Sequence, residues 1–207
     1  MSRIKNIIFD LGGVIMNLNV PETIKEFKRL GIVDIVNDTG HHYTDPIFYD
    51  FEIGKVSPIE FIEKLKSLSA LTPSSHDIKE AWNAMILDMP KEKIRFLKEL
   101  KRDYNIFLLS NTNSIHQEKF IDEVNRTNNM SFNNLFVKAY YSHEIGLRKP
   151  GNEAFCFLLR ENNLKANETL FIDDSIDNIR SAEAVGIKGS LFKGGSLEKH
   201  VTDNIIK

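Results

Sequence analysis

Apolar and polar positions change their rhythm along this chain, and each change predicts an element. Lys5–Phe9 is a short apolar run centred on Ile7, Ile8 and Phe9; it predicts a buried strand that stops before Gly12-Gly13. From Pro21 to Leu30, residues Ile24, Phe27 and Leu30 recur at helical spacing, and Gly31 supplies a stop. Residues 31–56 show no clear period and are punctuated by Gly40, His41, His42, Pro46 and Gly54. A sharper signal follows. Ser57 can cap, Pro58 fits a first helical position and Glu60 completes a capping box. Phe61, Ile62, Leu65 and Leu68 then form one apolar face, which Thr72-Pro73-Ser74-Ser75 interrupts. Further helices are predicted over about Asp77–Ile86 and Pro90–Lys101, so residues 17–89 read as all-helical.

Beyond residue 90 the pattern alternates. Strands are predicted at Asn105–Leu109, Leu135–Tyr141, Thr169–Ile172 and about Gly189–Phe192. Helices fall between them: one reaching about Asn125, one over Glu153–Arg160, and one buried through Ile176, Ile179, Ala182 and Val185 and closed by Gly186. A short C-terminal helix ends the chain. This order implies parallel strands joined by crossover helices, an open Rossmann-like α/β sheet with helices on both faces. The first strand must join that sheet, because nothing in the helical stretch can pair with it. The expected organisation is an α/β core of residues 1–16 and 90–207, with a helical insert at 17–89.

Composition narrows the class. Of 207 residues, 42% are hydrophobic and 27% charged, enough apolar material for a sizeable core. Lys and Arg number 27 against 29 Asp and Glu, so no basic excess points to nucleic acid or an anionic membrane surface. No segment approaches the roughly 20 apolar residues that span a bilayer. The Ile7–Phe9 stretch is too short for a signal peptide. One cysteine, Cys156, excludes an intramolecular disulfide and a Cys-based zinc cluster, which fits a cytoplasmic setting.

The chemistry lies where predicted strands end. Open α/β sheets bind ligands at the carboxyl ends of their strands. Here those ends carry Asp10, Ser110-Asn111 and Asp173-Asp174, and the loop after a fourth strand carries Lys149. Taken singly, each has a bland reading: an aspartate in a turn, a Ser-Asn pair capping a helix, a surface lysine. Together and in this order they suit one ligand set. Carboxylates hold Mg²⁺, while lysine and a hydroxyl hold phosphate oxygens.

These four elements resemble the four motifs of the haloacid dehalogenase-like (HAD) hydrolase superfamily. Ile7–Val14 resembles the first, Leu108–Asn111 the second, Gly146–Pro150 the lysine loop and Phe171–Asn178 the acidic fourth. The resemblance implies that 17–89 is a four-helix cap. It implies a small phosphorylated substrate, with Asp10 as nucleophile, Lys149 as catalytic and phosphate-binding cation, and Ser110 and Asn111 as phosphate ligands. It also implies Mg²⁺ held by Asp10, Asp174 and the Gly12 carbonyl, with Asp173 and Asp177 in orienting roles. The details look most similar to bacterial glucose-1-phosphatase-type sugar-phosphate phosphatases, to which Trp82 and the segment Glu52–Ser57 also bear likeness.

One position departs. Many phosphatases of this superfamily carry a general acid two residues after the nucleophile, and here that residue is Gly12. Acid–base catalysis contributes typically about 10²–10⁴-fold, so its loss matters. His116 and His143 are the candidate substitutes. Gly12 also keeps two alternatives in view: a 2-haloacid dehalogenase, which needs no metal, and a weakly active binding or regulatory module.

Overall fold

Five strands run parallel in one sheet, in the order β3-β2-β1-β4-β5. They are β1 (Asn6–Phe9), β2 (Asn105–Ser110), β3 (Lys138–Tyr141), β4 (Thr169–Asp173) and β5 (Lys188–Leu191). The computed structural model describes residues 3–33, 35, 43–128 and 130–205; Gly40, His41 and His42 lie outside the described residues. Ten α-helices complete the described chain: α1 (Val20–Arg29), α2 (Pro46–Glu52), α3 (Pro58–Ser67), α4 (Ser75–Asn83), α5 (Lys91–Leu100), α6 (Ser114–Asn128), α7 (Ser142–Ile145), α8 (Asn152–Glu161), α9 (Ile176–Ala184) and α10 (Leu197–Ile205).

The central strand explains the sandwich. Along β1, Ile7 and Phe9 face one way and join Ile106, Leu108 and Ile172 beneath α5, α6 and α10. Ile8 faces the other way and joins Phe107, Leu109 and Phe171 beneath α8 and α9. A strand covered on both faces reads as a continuous apolar run, which is how β1 appears in the sequence. Each such side chain contributes roughly 1.5–3 kcal/mol when fully buried.

Strand order reverses at β1. Phe9 lies level with Leu108 on one side and Ile172 on the other, so three carboxyl ends finish together. The crevice beyond such a switch point is where ligands bind in sheets of this kind.

Helices α1 to α4 lie between β1 and α5 in sequence and share their own core. Trp82 sits at its centre, its ring 5.3 Å from that of Phe61, 5.4 Å from Phe48 and 6.0 Å from Phe27. The capping box at Ser57 forms as expected, and a second one forms at Ser74, whose side chain accepts from the Asp77 N–H. That second cap starts α4 at Ser75, earlier than the spacing suggests. The segments leading into and out of these helices run side by side: Asn17 N–H donates to Asp88 O at 3.0 Å and Leu87 N–H to Asn17 O at 3.1 Å.

Three details differ from expectation. The strand expected from Leu135 begins at Lys138, because Phe132–Leu135 forms a 3₁₀ turn. Leu68 is 37% exposed, as the residue just past the end of α3. Ile176 is 45% exposed, because it opens α9 at the sheet edge instead of packing beneath it.

Candidate active site

Asp10 is the first residue beyond β1. Its N–H donates to Ile172 O at 2.9 Å, which extends the ladder one step and fixes its side chain at the crevice. The chain then turns tightly, with Ile15 N–H and Met16 N–H both donating to Leu11 O and Gly13 N–H donating to Met16 O. Gly13 has φ +73°, and a β-carbon there would collide with the Asp174 carboxylate. Glycine at 13 therefore lets Asp174 approach the turn, and no other residue fits without displacing it.

Lys149 is the centre of the site. It is 1% exposed, and its Nζ donates to Asp10 Oδ1 at 2.6 Å and to Asp173 Oδ2 at 2.7 Å. A buried ammonium is tolerable only with such partners. Burial opposes its charge, but Asp10 and Asp173 outweigh burial and hold its pKa above the ordinary value. Asp10 shows the converse. Burial, offset by the Lys149 charge and reinforced by Asp173, raises its pKa from 3.8 to about 7.

The lysine loop is fastened by Asn111. The Asn111 side chain donates to Lys149 O at 2.8 Å and accepts from Lys149 N–H at 2.9 Å. Expected as a phosphate ligand, Asn111 spends both ends of its amide on placing Lys149. Ser110 is 3% exposed and ends β2 level with Tyr141. The helix cap is supplied by neither, since Asn113 Oδ1 accepts from His116 N–H at 3.1 Å at the start of α6.

The acidic motif divides its labour. Asp173 is fully buried; besides Lys149, its carboxylate accepts from Ser175 N–H at 2.8 Å and from Asn178 Nδ2 at 3.0 Å. Asp174 remains more open, and burial together with the adjacent Asp173 raises its pKa. One carboxylate oxygen from each of Asp10, Asp173 and Asp174 lies within 4.8 Å of the others, a donor set that suits a hard divalent cation. Asp177, expected to help orient the site, instead lies exposed and accepts from Arg180 at 3.3 Å.

Neither histidine is placed to supply protons. His116 Nε2 bonds Trp82 O at 3.0 Å and Nδ1 bonds Asn113 Nδ2 at 3.2 Å, so the ring is neutral with its N–H on Nε2. Burial, only partly opposed by the Trp82 carbonyl, pushes its pKa down to about 4. His143 faces an acceptor at each nitrogen, Thr112 O at 3.2 Å from Nδ1 and Gln117 Oε1 at 3.0 Å from Nε2, and both hold the ring to α6 and the loop before it.

A cavity of about 220 Å³ opens between the sheet edge and helices α1 to α4, lined by Gly12, Leu18, Trp82, Ser110 and Thr112 among others. It is smaller than the roughly 300–1,000 Å³ typical of drug-sized ligands. Tyr43 and Glu52 also line it. Sequence reasoning assigned neither a role, because no spacing links residues 43 and 52 to the four motifs. Asn178 was likewise unassigned, although its place in an acidic segment carried the signal.

A family model of haloacid dehalogenase-like hydrolases matches residues 4–186. The chain belongs to that family. Among curated relatives, a D-ribitol-5-phosphate phosphatase of Bacteroides thetaiotaomicron is 30% identical over 185 residues, 89% of this chain and 90% of that one. A sesquiterpene phosphatase of Aspergillus oryzae is 26% identical, covering 97% of this chain and 91% of its own. Among solved structures, an aspartate-to-alanine variant of a HAD family enzyme from Bacteroides thetaiotaomicron, in complex with magnesium and inorganic phosphate, is 33% identical. It superposes with a TM-score of 0.90 over 96% of this chain and 98% of its own. The chain is a HAD-like phosphatase by family and by the acidic cluster at its sheet edge.

The Lys149 network makes a direct prediction. Lys149→Met removes the charge with little change in volume and leaves Asp10 and Asp173 buried without their cation. Breaking such a pair costs roughly 3–5 kcal/mol. Urea unfolding is expected to register a loss of that size. A change below about 1 kcal/mol, the range of exposed ion pairs, would mean that water or relaxation replaces the lysine.

Proposed function

We propose that this chain is a magnesium-dependent phosphatase for small polyhydroxylated phosphate esters, working through an aspartyl-phosphate on Asp10. The observation that carries the reading is the Lys149 ammonium, 2.6 Å from the Asp10 carboxylate at the switch point of the sheet. A carboxylate attacking a phosphate dianion meets repulsion, and a cation fixed between them reduces it. Asp10 attacks phosphorus, the bond to the leaving oxygen breaks, and water later cleaves the acyl-phosphate to restore Asp10. Lys149 Nζ and Ser110 hold phosphate oxygens. Asp10, Asp174 and the Gly12 carbonyl would hold Mg²⁺, which supplies further charge neutralisation when bound. Asp173, saturated by Lys149, Ser175 and Asn178, orients the lysine. The 2-haloacid dehalogenase alternative leaves Asp174, clustered with Asp10 and Asp173, without a use.

The substrate class follows from the relative acting on a pentitol phosphate and from the small cavity. Residues 17–89 would serve as a cap domain that shapes that cavity, since none of the nucleophile, lysine or acidic residues lies within them. No described helix is long and apolar enough to cross a membrane, and the lone Cys156 fits a reducing, cytoplasmic setting.

Release of inorganic phosphate from pentitol and hexose phosphates, with and without Mg²⁺, is the first test. Wild-type protein is expected to turn over only with the metal, and Asp10→Asn to be inactive while folded. Substantial turnover by Asp10→Asn would refute the covalent route.

Magnesium and protons compete for Asp10. Folded Asp10 holds its proton more tightly than the unfolded chain, so its contribution to stability is full below about pH 4 and is lost as pH rises through about 7. Mg²⁺ needs the carboxylate, so its affinity should rise with pH up to about 7. Calorimetry between about pH 5 and pH 8 in buffers of different ionisation heat should detect proton release on Mg²⁺ binding that diminishes as pH rises. A count that does not change with pH would place the titrating group elsewhere.

Gly12 predicts leaving-group sensitivity. With His116 and His143 engaged elsewhere, phosphorylation of Asp10 should slow steeply as the leaving alcohol becomes more basic. Single-turnover rates over a graded series of esters measure this; a flat series would reveal another donor. Gly12 itself has no left-handed backbone, and an added β-carbon would meet only the Leu18 side chain, with Cδ1 at 2.5 Å and Cγ at 3.5 Å. Gly12→Asp combined with Leu18→Ala is therefore expected to flatten the dependence.

A further inference from the structure

Resting on the reading of a polyhydroxylated substrate, we propose that Glu52 and Arg148 form the leaving-group subsite and take up a vicinal diol. Glu52 ends α2 and Arg148 immediately precedes Lys149. They meet across the boundary between the helical insert and the sheet, with Arg148 Nη1 3.1 Å from Glu52 Oε2. The pair is incompletely satisfied. Glu52 Oε2 has only that ion pair and no well-aligned hydrogen bond, and Arg148 Nε is buried with no partner. A buried charged group without its bonds is costly, and such groups in a cavity wall mark a place for a ligand. Both side chains still keep access, at 19% and 29% exposed.

The surroundings fit a hydroxyl-bearing chain. Glu52 and Tyr43 line the 220 Å³ cavity above Gly12 and Ser110, and with Arg148 they also line a second cavity of about 420 Å³. Glu52 thus borders both spaces, and Arg148, the residue before Lys149, borders the second. A carboxylate accepts from two neighbouring hydroxyls, and the guanidinium Nε–H donates to one of their oxygens. Neither group could do this for a bare alkyl chain.

The pair is held by backbone contact. Gly54 has φ +72°, and a β-carbon on it would overlap the His143 carbonyl oxygen. That glycine-only approach seats the end of α2 on α7, near the lysine loop. The Arg148 guanidinium also stacks 5.2 Å from the centre of the Tyr49 ring, which limits where its Nε–H points. Burial pushes the Glu52 carboxyl up, and the Arg148 guanidinium opposes that only in part.

The experiment compares a pentitol phosphate with n-pentyl phosphate, equal in carbon count and without hydroxyls. The wild-type ratio of kcat/KM should strongly favour the pentitol ester. Glu52→Gln and Arg148→Lys should each lower that ratio about 10- to 100-fold, through kcat as well as KM for the pentitol ester. A wild-type enzyme that releases phosphate but shows no preference would overturn the substrate reading together with this subsite. A preference that survives both variants would overturn the subsite and leave the substrate reading standing. Equal losses on both esters would also overturn it, since Glu52 would then act on the reacting centre. Binding gives a second measurement free of turnover. Trp82, the single tryptophan, lines the cavity and reports by fluorescence. In Asp10→Asn protein, adding Glu52→Gln should weaken the pentitol phosphate and not inorganic phosphate; equal weakening of both would again overturn the assignment. Should Glu52→Gln fail to fold, Arg148→Lys carries both measurements.

Discussion

One buried ammonium constrains this molecule more than any other group. Lys149 is sealed from water and held by Asp10, just beyond strand β1, and Asp173, the last residue of β4. Those strands are neighbours in the sheet, so their register brings the two carboxylates level. The lysine arrives from a loop beyond β3, two strands away on the other side of β1. Its position therefore demands that the whole sheet be assembled in the observed order. Asn111, at the end of the intervening β2, grips the Lys149 backbone from both ends of its amide. Four strands thus contribute to placing one charge. A preorganised cation of this kind needs no rearrangement when negative charge develops beside it.

The same economy governs close approach. Gly13 admits the Asp174 carboxylate against the turn after β1, and Gly54 admits the insert against the His143 carbonyl. The first contact builds the acidic cluster. The second brings the end of α2 to the core, opposite the lysine loop. Between them lies the cavity, with Gly12, Ser110 and Thr112 on the sheet side and Trp82, Tyr43 and Glu52 on the other.

The sheet was legible because its strands are covered on both faces and read as apolar runs, and because polar residues stand at their ends. Asp10, Ser110, Lys149 and the Asp173-Asp174 pair all come together at one edge, as their order in the chain implied. Less legible were roles decided by geometry alone. Asn111 was expected to face phosphate, yet it braces the lysine loop. Asp177 matches an acidic motif, yet its helix turns it outward to Arg180. The Glu52–Arg148 pair joins residues 52 and 148, and no local period connects segments so far apart. Helix α2 was also missed, since Asp45 caps it ahead of Pro46 in a segment without apolar periodicity.

The empty position at Gly12 and the charged pair at Glu52 and Arg148 answer different halves of one problem. An enzyme without a proton donor beside its nucleophile loses transition-state stabilisation that binding alone does not restore, because uniform binding lowers KM without raising kcat. Recognition of the leaving group helps only where its bonds strengthen as the ester breaks. A carboxylate and a guanidinium fixed on the leaving-group side meet that condition if their hydroxyl partners hold the departing chain in line with Asp10. Such alignment favours esters with several hydroxyls over equally acidic leaving groups that have none. On the proposed reading the fold would trade a local acid for distant positioning, and its substrate range would be tied to the insert that carries Glu52.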